Sequence, residues 1–258
     1  LQVSIITPTL NGRRFIEECI ANVQAQGDQV LEHIVVDGGS TDGTVELVES
    51  LRERHPRLRL IPGPDRGQSD AMNKATEAAR GEVIGILNVD DFYEPGAVDA
   101  ALAELGRMTA PAMVVGDCRV IDEHGAVKMW NRPVDLRTSA LLLGWNYAPF
   151  PCNPSAYFYH RDVHFIVGGY DTTDHYAMDF DFILSCTRAV PTRYVPQHWG
   201  NMRLMPGCKT FEDERGGERL AEVMARHRQR IPLLRRPAIH LTKARIDLHR
   251  LRRAWGLL

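Results

Sequence analysis

Two aspartates stand side by side at the end of an apolar run. In "IGILNVDDFYEPG" (residues 84–96), Ile84 to Leu87 read as a buried strand that opens onto Asp90 and Asp91. Adjacent carboxylates repel, and each resists burial. A divalent cation answers both problems, because Mg²⁺ or Mn²⁺ takes hard oxygen ligands, usually one or two carboxylates completed by substrate phosphates. A helix N-cap is the plainer explanation, but capping needs one acid rather than two. A second pair, Asp179 and Asp181, interrupts the apolar run "HYAMDFDFIL" (175–184). On a helix these side chains lie about 200° apart, so at most one faces the interior. A carboxylate against aromatic walls has a raised pKa and suits a general base.

Two loops carry further polar residues. "DGGSTDGT" (37–44) offers glycines for a tight turn and backbone N–H groups that can meet an anion, although a turn with an N-cap explains it as well. "DRGQSDAMNKA" (65–75) gathers Asp65, Asp70, Asn73 and Lys74 at one helix start, with a solvated charged face as the alternative. His160 and His164 share zinc-like spacing but lack the H-E-x-x-H glutamate, and no G-x-S-x-G supports a hydrolase serine.

The elements that must position these groups alternate. Apolar runs at Val3–Thr7 (broken by Pro8), His33–Val36, Leu58–Ile61 and Val83–Leu87 read as strands. Helical spacing follows each, at Phe15–Val23, Val45–Leu51, about Ser69–Arg80 and Ala97–Leu105. Four strand–helix units predict a parallel α/β sheet with crossover helices, which binds ligands at the carboxyl ends of its strands. Thr9 and Asn11 follow the first strand, Asp37 the second, Asp65 the third, and Asp90 and Asp91 the fourth. Residues 111–130 read as a strand pair around an Asp-Glu-His-Gly turn, and a helix is expected from about Tyr176 to Arg188. This second half is expected to cover the site.

Bulk properties narrow the function classes. The chain has 258 residues, 44% hydrophobic and 25% charged, near globular averages. A net charge of −2 argues against nucleic acid as a partner. The charge is uneven, since residues 216–258 hold eleven Lys/Arg against three acids, or +8, which leaves −10 on the remainder. Five scattered cysteines without C-x-x-C argue against a disulfide framework or zinc ribbon and for a reducing, cytoplasmic setting. No apolar run approaches the roughly 20 residues that span a bilayer, and no signal peptide is legible.

Taken in series, "VSIITPTLN", "IVVDGGSTDGT", "DRGQSDAMNKA", "NVDD" and "AMDFDFIL" resemble the family 2 glycosyltransferases over about residues 2–215. The resemblance implies an inverting enzyme with a Rossmann-like GT-A fold: an α/β architecture with a mixed central sheet flanked by helices, a contiguous acceptor lobe and a basic helical tail. The implied division is 1–106 for the nucleotide-sugar lobe, 107–215 for the acceptor lobe and 216–258 for the tail. It further implies that Thr7, Pro8, Thr9 and Asn11 line the nucleoside and that Asp37 reads the base. Asp65 and Asp70 border the base and donor sugar, with Asn73 and Lys209 also on the nucleotide sugar. Asp90 and Asp91 correspond to the D-x-D element, with Asp91 as the direct Mn²⁺ or Mg²⁺ ligand and Asp90 nearer the ribose. Asp179 falls where the family keeps its base, after the "IVGGYD" landmark. The expected partners are a nucleotide-diphosphate sugar, with UDP as the nucleotide, and a glycan or lipid-linked acceptor.

One segment departs from the family pattern. Where relatives often read Arg-x-His-x-x-Ser, this chain has "MRLMPGCKT" (202–210), with Met205 and Cys208 at the His and Ser positions. His198 or Lys209 is the expected substitute. Two other readings compete: a sugar transferase to polyprenyl phosphate, and a non-catalytic nucleotide-sugar-binding protein. Residues 238–255 have Leu241, Leu248 and Leu251 at helical spacing beside Arg245, Arg252 and Arg253. They are expected to lie on an anionic membrane surface at its inner face, or else to pack on the acidic body or pair two copies in a homodimer.

Overall fold

The computed structural model describes residues 1–206, 208–209, 215–233 and 236–254. Leu234, Arg235 and the side chains of Leu251, Arg252 and Arg253 from the basic tail lie outside that description, as do residues 255–258.

The first half builds the expected parallel sheet. Strands β1 (Val3–Thr9), β2 (Val30–Asp37), β3 (Leu58–Pro62) and β4 (Val83–Ile86) lie in the order β3-β2-β1-β4. Every pairing among them is parallel. The near-continuous Val/Ile runs of β1, β2 and β4 are buried on both faces, as crossovers on both sides of a parallel sheet require, while β3 at the sheet edge is only partly buried. Those crossovers are α1 (Ile16–Gln24), α2 (Thr44–Arg52) and α3 (Gln68–Ala78), with α4 (Ala97–Leu105) beyond β4. In α1 the buried residues are Ile16, Cys19, Ile20 and Val23, one stripe at i, i+3, i+4 and i+7.

Pro8 does not break the first strand, which continues to Thr9. The pairing explains why. Ile6 accepts from Leu87 N on the β4 side, so the position two residues on faces that same side. The β1–β4 pairing has already ended at Ile6, and the N–H that Pro8 lacks would have found no strand.

Strand β5 (Phe92–Tyr93) and the second half complete the same sheet. Strand β6 (Met113–Ile121) carries β7 (Val127–Asn131) on its edge. After α5 (Thr138–Leu141), β8 (Tyr157–His160) inserts antiparallel between β4 and β6. Helices α6 (Arg161–Val167) and α7 (Met178–Ala189) precede β9 (Thr192–Arg203), which runs parallel to β6 and antiparallel to β5. The result is the mixed, helix-flanked sheet. Residues beyond 107 therefore extend the first sheet rather than forming a separate one. At the β4–β8 seam Gly85 sits opposite Phe158, and a Cβ there would lie 2.6 Å from the ring.

The basic tail forms α8 (Gly216–Gln229) and α9 (Pro237–Ala254), the latter starting at a proline that suits a first helical turn. Both lie against the body. His227 of α8 is fully buried with Nε2 2.9 Å from Asp181 Oδ1, and Arg226 reaches Asp171 at 3.1 Å and Asp181 at 3.4 Å. On α9, Thr242 bonds Ser139 of α5 at 3.0 Å, while Lys243 and Arg250 stack over Tyr147. Leu241 and Leu248 face outward.

Candidate active site

The chain steps outward from β1 to β2 and β3, and the crossover from β3 then returns past β1 to β4 on its other side, so the strand order reverses between β1 and β4. A crevice forms at such a switch point. Here it is a cavity of about 810 Å³. Pro8, Thr9 and Asn11 reach it from the end of β1, Asp65 from the loop after β3, and Asp90 and Asp91 from the loop after β4. Asp179 enters from the first turn of α7, and Lys209 from beyond β9.

Four residues expected at the ligand stand outside this cavity. Thr7 turns inward, its hydroxyl 2.9 Å from Nε2 of buried His33. Asp37 accepts from the N–H groups of Gly39 and Ser40 at 2.9 and 2.8 Å, and so shapes the glycine turn. Asp70 is buried between Lys74 and Arg66, at 2.9 and 3.0 Å, and these cations hold its carboxyl well below the usual range. Asn73 donates to the Tyr170 carbonyl and accepts from the Tyr170 N–H, both at 2.9 Å. That amide pair fixes the Gly168–Gly169 turn that leads toward α7. Each of these four side chains has a protein partner for its polar atoms.

The acid pair divides its labour. Asp91 is 2% exposed. Its Oδ2 accepts from Asn153 at 2.7 Å and Asn88 at 3.0 Å, and its Oδ1 from the Arg203 backbone N–H at 2.9 Å. Burial, reinforced by the neighbouring Asp90 charge, pushes the Asp91 carboxyl up to about 7. Asp90 is only partly buried, and among the described residues no side chain donates to its carboxylate. Its backbone carbonyl accepts from the Arg203 guanidinium at 2.8 Å. Both aspartates line the cavity, with Asp90 the more exposed of the two and Asp91 the one held by three donors.

Among the described residues no three His, Cys, Asp or Glu side chains converge on one point. Two carboxylates that burial drives toward protonation nonetheless fit a hard divalent cation whose remaining ligands come from phosphate oxygens.

At the opposite wall Asp179 Oδ1 accepts from the Tyr157 hydroxyl at 2.7 Å, and that hydroxyl is 3.1 Å from the Tyr170 hydroxyl. Burial raises the Asp179 carboxyl, while the Tyr157 hydrogen bond and the Lys209 charge act against the rise. Asp181 points the other way, onto His227 and Arg226, as the helical angle between the two acids requires.

Several cavity residues had no readable signal in the sequence. Gln68 links Asn88 at 2.9 Å to the Lys209 ammonium at 3.1 Å, tying the third and fourth strand ends to the segment after β9. His175 packs so closely on Gly67 that a Cβ there would lie 2.6 Å from its Nδ1, at a φ of +107 that itself favours glycine. Asn153 and Arg203 are far from Asp91 in sequence; Arg203 stands at the Arg of the Arg-x-His-x-x-Ser stretch, whereas no local motif marks Asn153. Of the two expected substitutes for the missing histidine, Lys209 lines the cavity. His198 does not, lying against Glu94, Asn201 and Trp130. Met205 is buried.

Comparison with known proteins agrees with this arrangement. The family described as "Glycosyl transferase family 2" matches residues 4–165, well over half of the chain. The chain is 30% identical over 198 residues to a chondroitin synthase of Escherichia coli, covering 75% of this chain but only 27% of that protein. It is also 30% identical over 196 residues to a PGL/p-HBAD biosynthesis glycosyltransferase of Mycobacterium bovis, covering 74% of this chain and 73% of that protein. Among solved structures, S. aureus TarS 1-349 in complex with UDP-GlcNAc superposes with a TM-score of 0.73 at 18% identity, over 95% of this chain and 71% of that one. The mannosyltransferase PcManGT from Pyrobaculum calidifontis, in complex with GDP-Man and Mn²⁺, does so with a TM-score of 0.62 at 22% identity, over 96% and 70%. The chain thus spans about a quarter of the chondroitin synthase and most of the mycobacterial enzyme. With its sheet, its acid pair at a strand mouth and these matches together, it belongs to glycosyl transferase family 2.

Proposed function

We propose that this chain transfers a sugar from a UDP-sugar to an acceptor hydroxyl with inversion, with Asp179 as general base and Asp90 as the direct ligand of Mn²⁺ or Mg²⁺. The observation that carries this reading is that Asp90 and Asp179, 89 positions apart in sequence, line one cavity. A nucleotide diphosphate would add negative charge to a mouth that is already acidic, so a donor without a counter-charge would be repelled. A bound divalent ion would offset the charge that develops on the leaving diphosphate. Lys209, held by Gln68, supplies a further positive charge at the same wall.

The protein's own groups do the rest. Pro8, Thr9, Asn11 and Asp65 border the nucleoside, and Asp91, fixed by three donors, holds the loop that presents Asp90. Asn153 and Arg203 act through Asp91 as positioning residues. Tyr157 occupies Oδ1 of Asp179, which leaves Oδ2 to take the proton of an incoming hydroxyl. That oxygen attacks the anomeric carbon as the diphosphate leaves from the opposite face, and no covalent nucleophile is needed. A phosphate acceptor would need no base, so the Tyr157–Asp179 pair favours a hydroxyl acceptor over polyprenyl phosphate.

UDP is preferred because S. aureus TarS, of the same fold, is solved with UDP and UDP-GlcNAc. Thermal shift with UDP and Mn²⁺ tests the donor side. Stabilisation that grows with the logarithm of UDP concentration and vanishes with EDTA is expected. No stabilisation by any nucleotide diphosphate or nucleotide sugar would reject the reading. Among the described residues no helix is long and apolar enough to cross a membrane. Outward Leu241 and Leu248, with exposed Arg245 between them, support contact of α9 with an anionic lipid surface. Flotation with anionic liposomes at low salt checks it.

A further inference from the structure

Asp179 also borders a second cavity, of about 340 Å³, whose lining does not include Asp90. The two cavities meet at Cys152, Tyr176, Asp179 and Met202. Their linings differ sharply. The first presents Asn11, Asp65, Gln68, Asn88, Asp90 and Arg203. The second is walled by Trp145, Phe150, Phe180, Leu204 and Leu220, with Asp179 and Arg219 as the charged side chains among the described residues.

The aromatic wall is ordered by its own packing. Trp145 meets Phe150 edge-on at 4.9 Å, and Phe150 lies 4.2 Å from Phe180. Phe180 follows Asp179 directly on α7, so the wall and the carboxylate are fixed by one helix turn. At the rim the Arg219 guanidinium stacks over Tyr176 at 4.3 Å. The volume falls at the small end of ligand pockets, roughly 300–1,000 Å³, and suits one or two rings.

We infer that this second cavity is the acceptor subsite and takes an aryl group adjoining the reacting hydroxyl, rather than the bare end of a polar glycan. The inference rests on Asp179 being the base, as proposed above. A hexose carries several hydroxyls, and each one buried without a partner costs about 1–3 kcal/mol. Among the described residues this wall provides few partners. A flat ring gains instead from burial and from edge-to-face contact with Trp145 and Phe150. With the ring seated there, its hydroxyl stands at Asp179, among the described residues the carboxylate that both cavities share. The step balances simply: the oxygen–hydrogen bond gives its proton to Asp179, a carbon–oxygen bond forms at the anomeric carbon, and the bond to the diphosphate breaks.

Two measurements on the whole chain test this and keep it separable from the donor reading. The first is equilibrium binding of 2-naphthol, a neutral aryl alcohol, read by fluorescence on wild type and on Trp145→Ala and Leu220→Gln, with UDP and Mn²⁺ binding followed on the same proteins. Saturable naphthol binding is expected, weakened at least tenfold in both variants, with nucleotide affinity within twofold of wild type. The second compares naphthyl and methyl glycosides of the same sugar, together with 2-naphthol itself, as acceptors. KM for the aryl acceptors is expected to be at least tenfold lower, with that advantage lost in the variants. Absence of naphthol binding, or equal KM for aryl and methyl acceptors, overturns the inference even if nucleotide binds normally. Failure of nucleotide binding alone rejects the donor reading and leaves the naphthol result to decide this one.

Discussion

The Tyr157 hydroxyl donates to Asp179 Oδ1 at 2.7 Å, from a strand that begins 21 positions before α7. Tyr157 is fully buried, so its hydroxyl has a fixed place, and the carboxylate is oriented by the sheet rather than by its own helix. Asp179→Asn is expected to keep UDP binding and lose about 10²–10⁴-fold in transfer rate. A radiolabelled-sugar transfer assay beside thermal shift reads both. Near-normal turnover would move the base elsewhere, with Asp181 the first residue to try.

The same contact sets a pH dependence. Burial raises the Asp179 carboxyl, and a base works only when ionised, so transfer falls as pH drops through that raised value. The Tyr157 hydrogen bond favours the ionised form. Tyr157→Phe should therefore shift the acid limb of the pH–rate profile to higher pH and lower kcat at neutral pH. An unchanged acid limb would show that the limb belongs to another group.

The acid pair separates in mutants. Asp90→Ala is expected to lose Mn²⁺-dependent UDP affinity at least tenfold with little change in Tm. Asn153→Ala removes the 2.7 Å donor to buried Asp91 and is expected to lower both activity and stability, the latter by about 1–3 kcal/mol. Titration calorimetry with and without Mn²⁺ checks the first, and urea unfolding the second. If Asp91→Asn abolished the metal effect while Asp90→Ala preserved it, Asp91 rather than Asp90 would be the direct metal ligand.

Stability should fall in mild acid for a reason outside the active site. Burial lowers His33 to about 3 and His164 to about 4, against about 6.5 for a free histidine. Between those values the unfolded chain binds protons that the folded chain refuses. Stability is therefore complete above about pH 6.5 and declines as pH falls below it, by up to about 1.4 kcal/mol per pH unit for each histidine. Urea unfolding at several pH values should show the decline, and His33→Gln should flatten it.

Gly85 has no room to grow. Gly85→Ala would place a methyl 2.6 Å from the Phe158 ring and 2.8 Å from Ile5 Cδ1, within the β4–β8 seam. A loss of about 1–3 kcal/mol in urea unfolding is expected. A neutral effect would mean that Phe158 can turn aside.

The first half of the fold was legible because its signals are local. Apolar runs separated by helical stripes can be read from neighbouring residues, and the carboxyl-end rule then gathers Thr9, Asn11, Asp65, Asp90 and Asp91 without any coordinates. The helix carrying Asp179 was legible too, as was the opposite facing of Asp181. Tertiary structure decided what each polar side chain does. Thr7, Asp37, Asp70 and Asn73 sit in the expected motifs, and only the packed chain sets their protein partners, such as His33, Ser40, Arg66, Lys74 and Tyr170. That Asp91 is the more firmly held of the acid pair depends on Asn153 and Arg203, which reach it from 62 and 112 residues away. The apolar second cavity depends on Trp145, Phe150, Leu204 and Leu220, drawn from separate loops and from α8. Spacing along the chain sets which face of a helix or strand a residue occupies, whereas only the packed sheet and helices set which partner lies opposite.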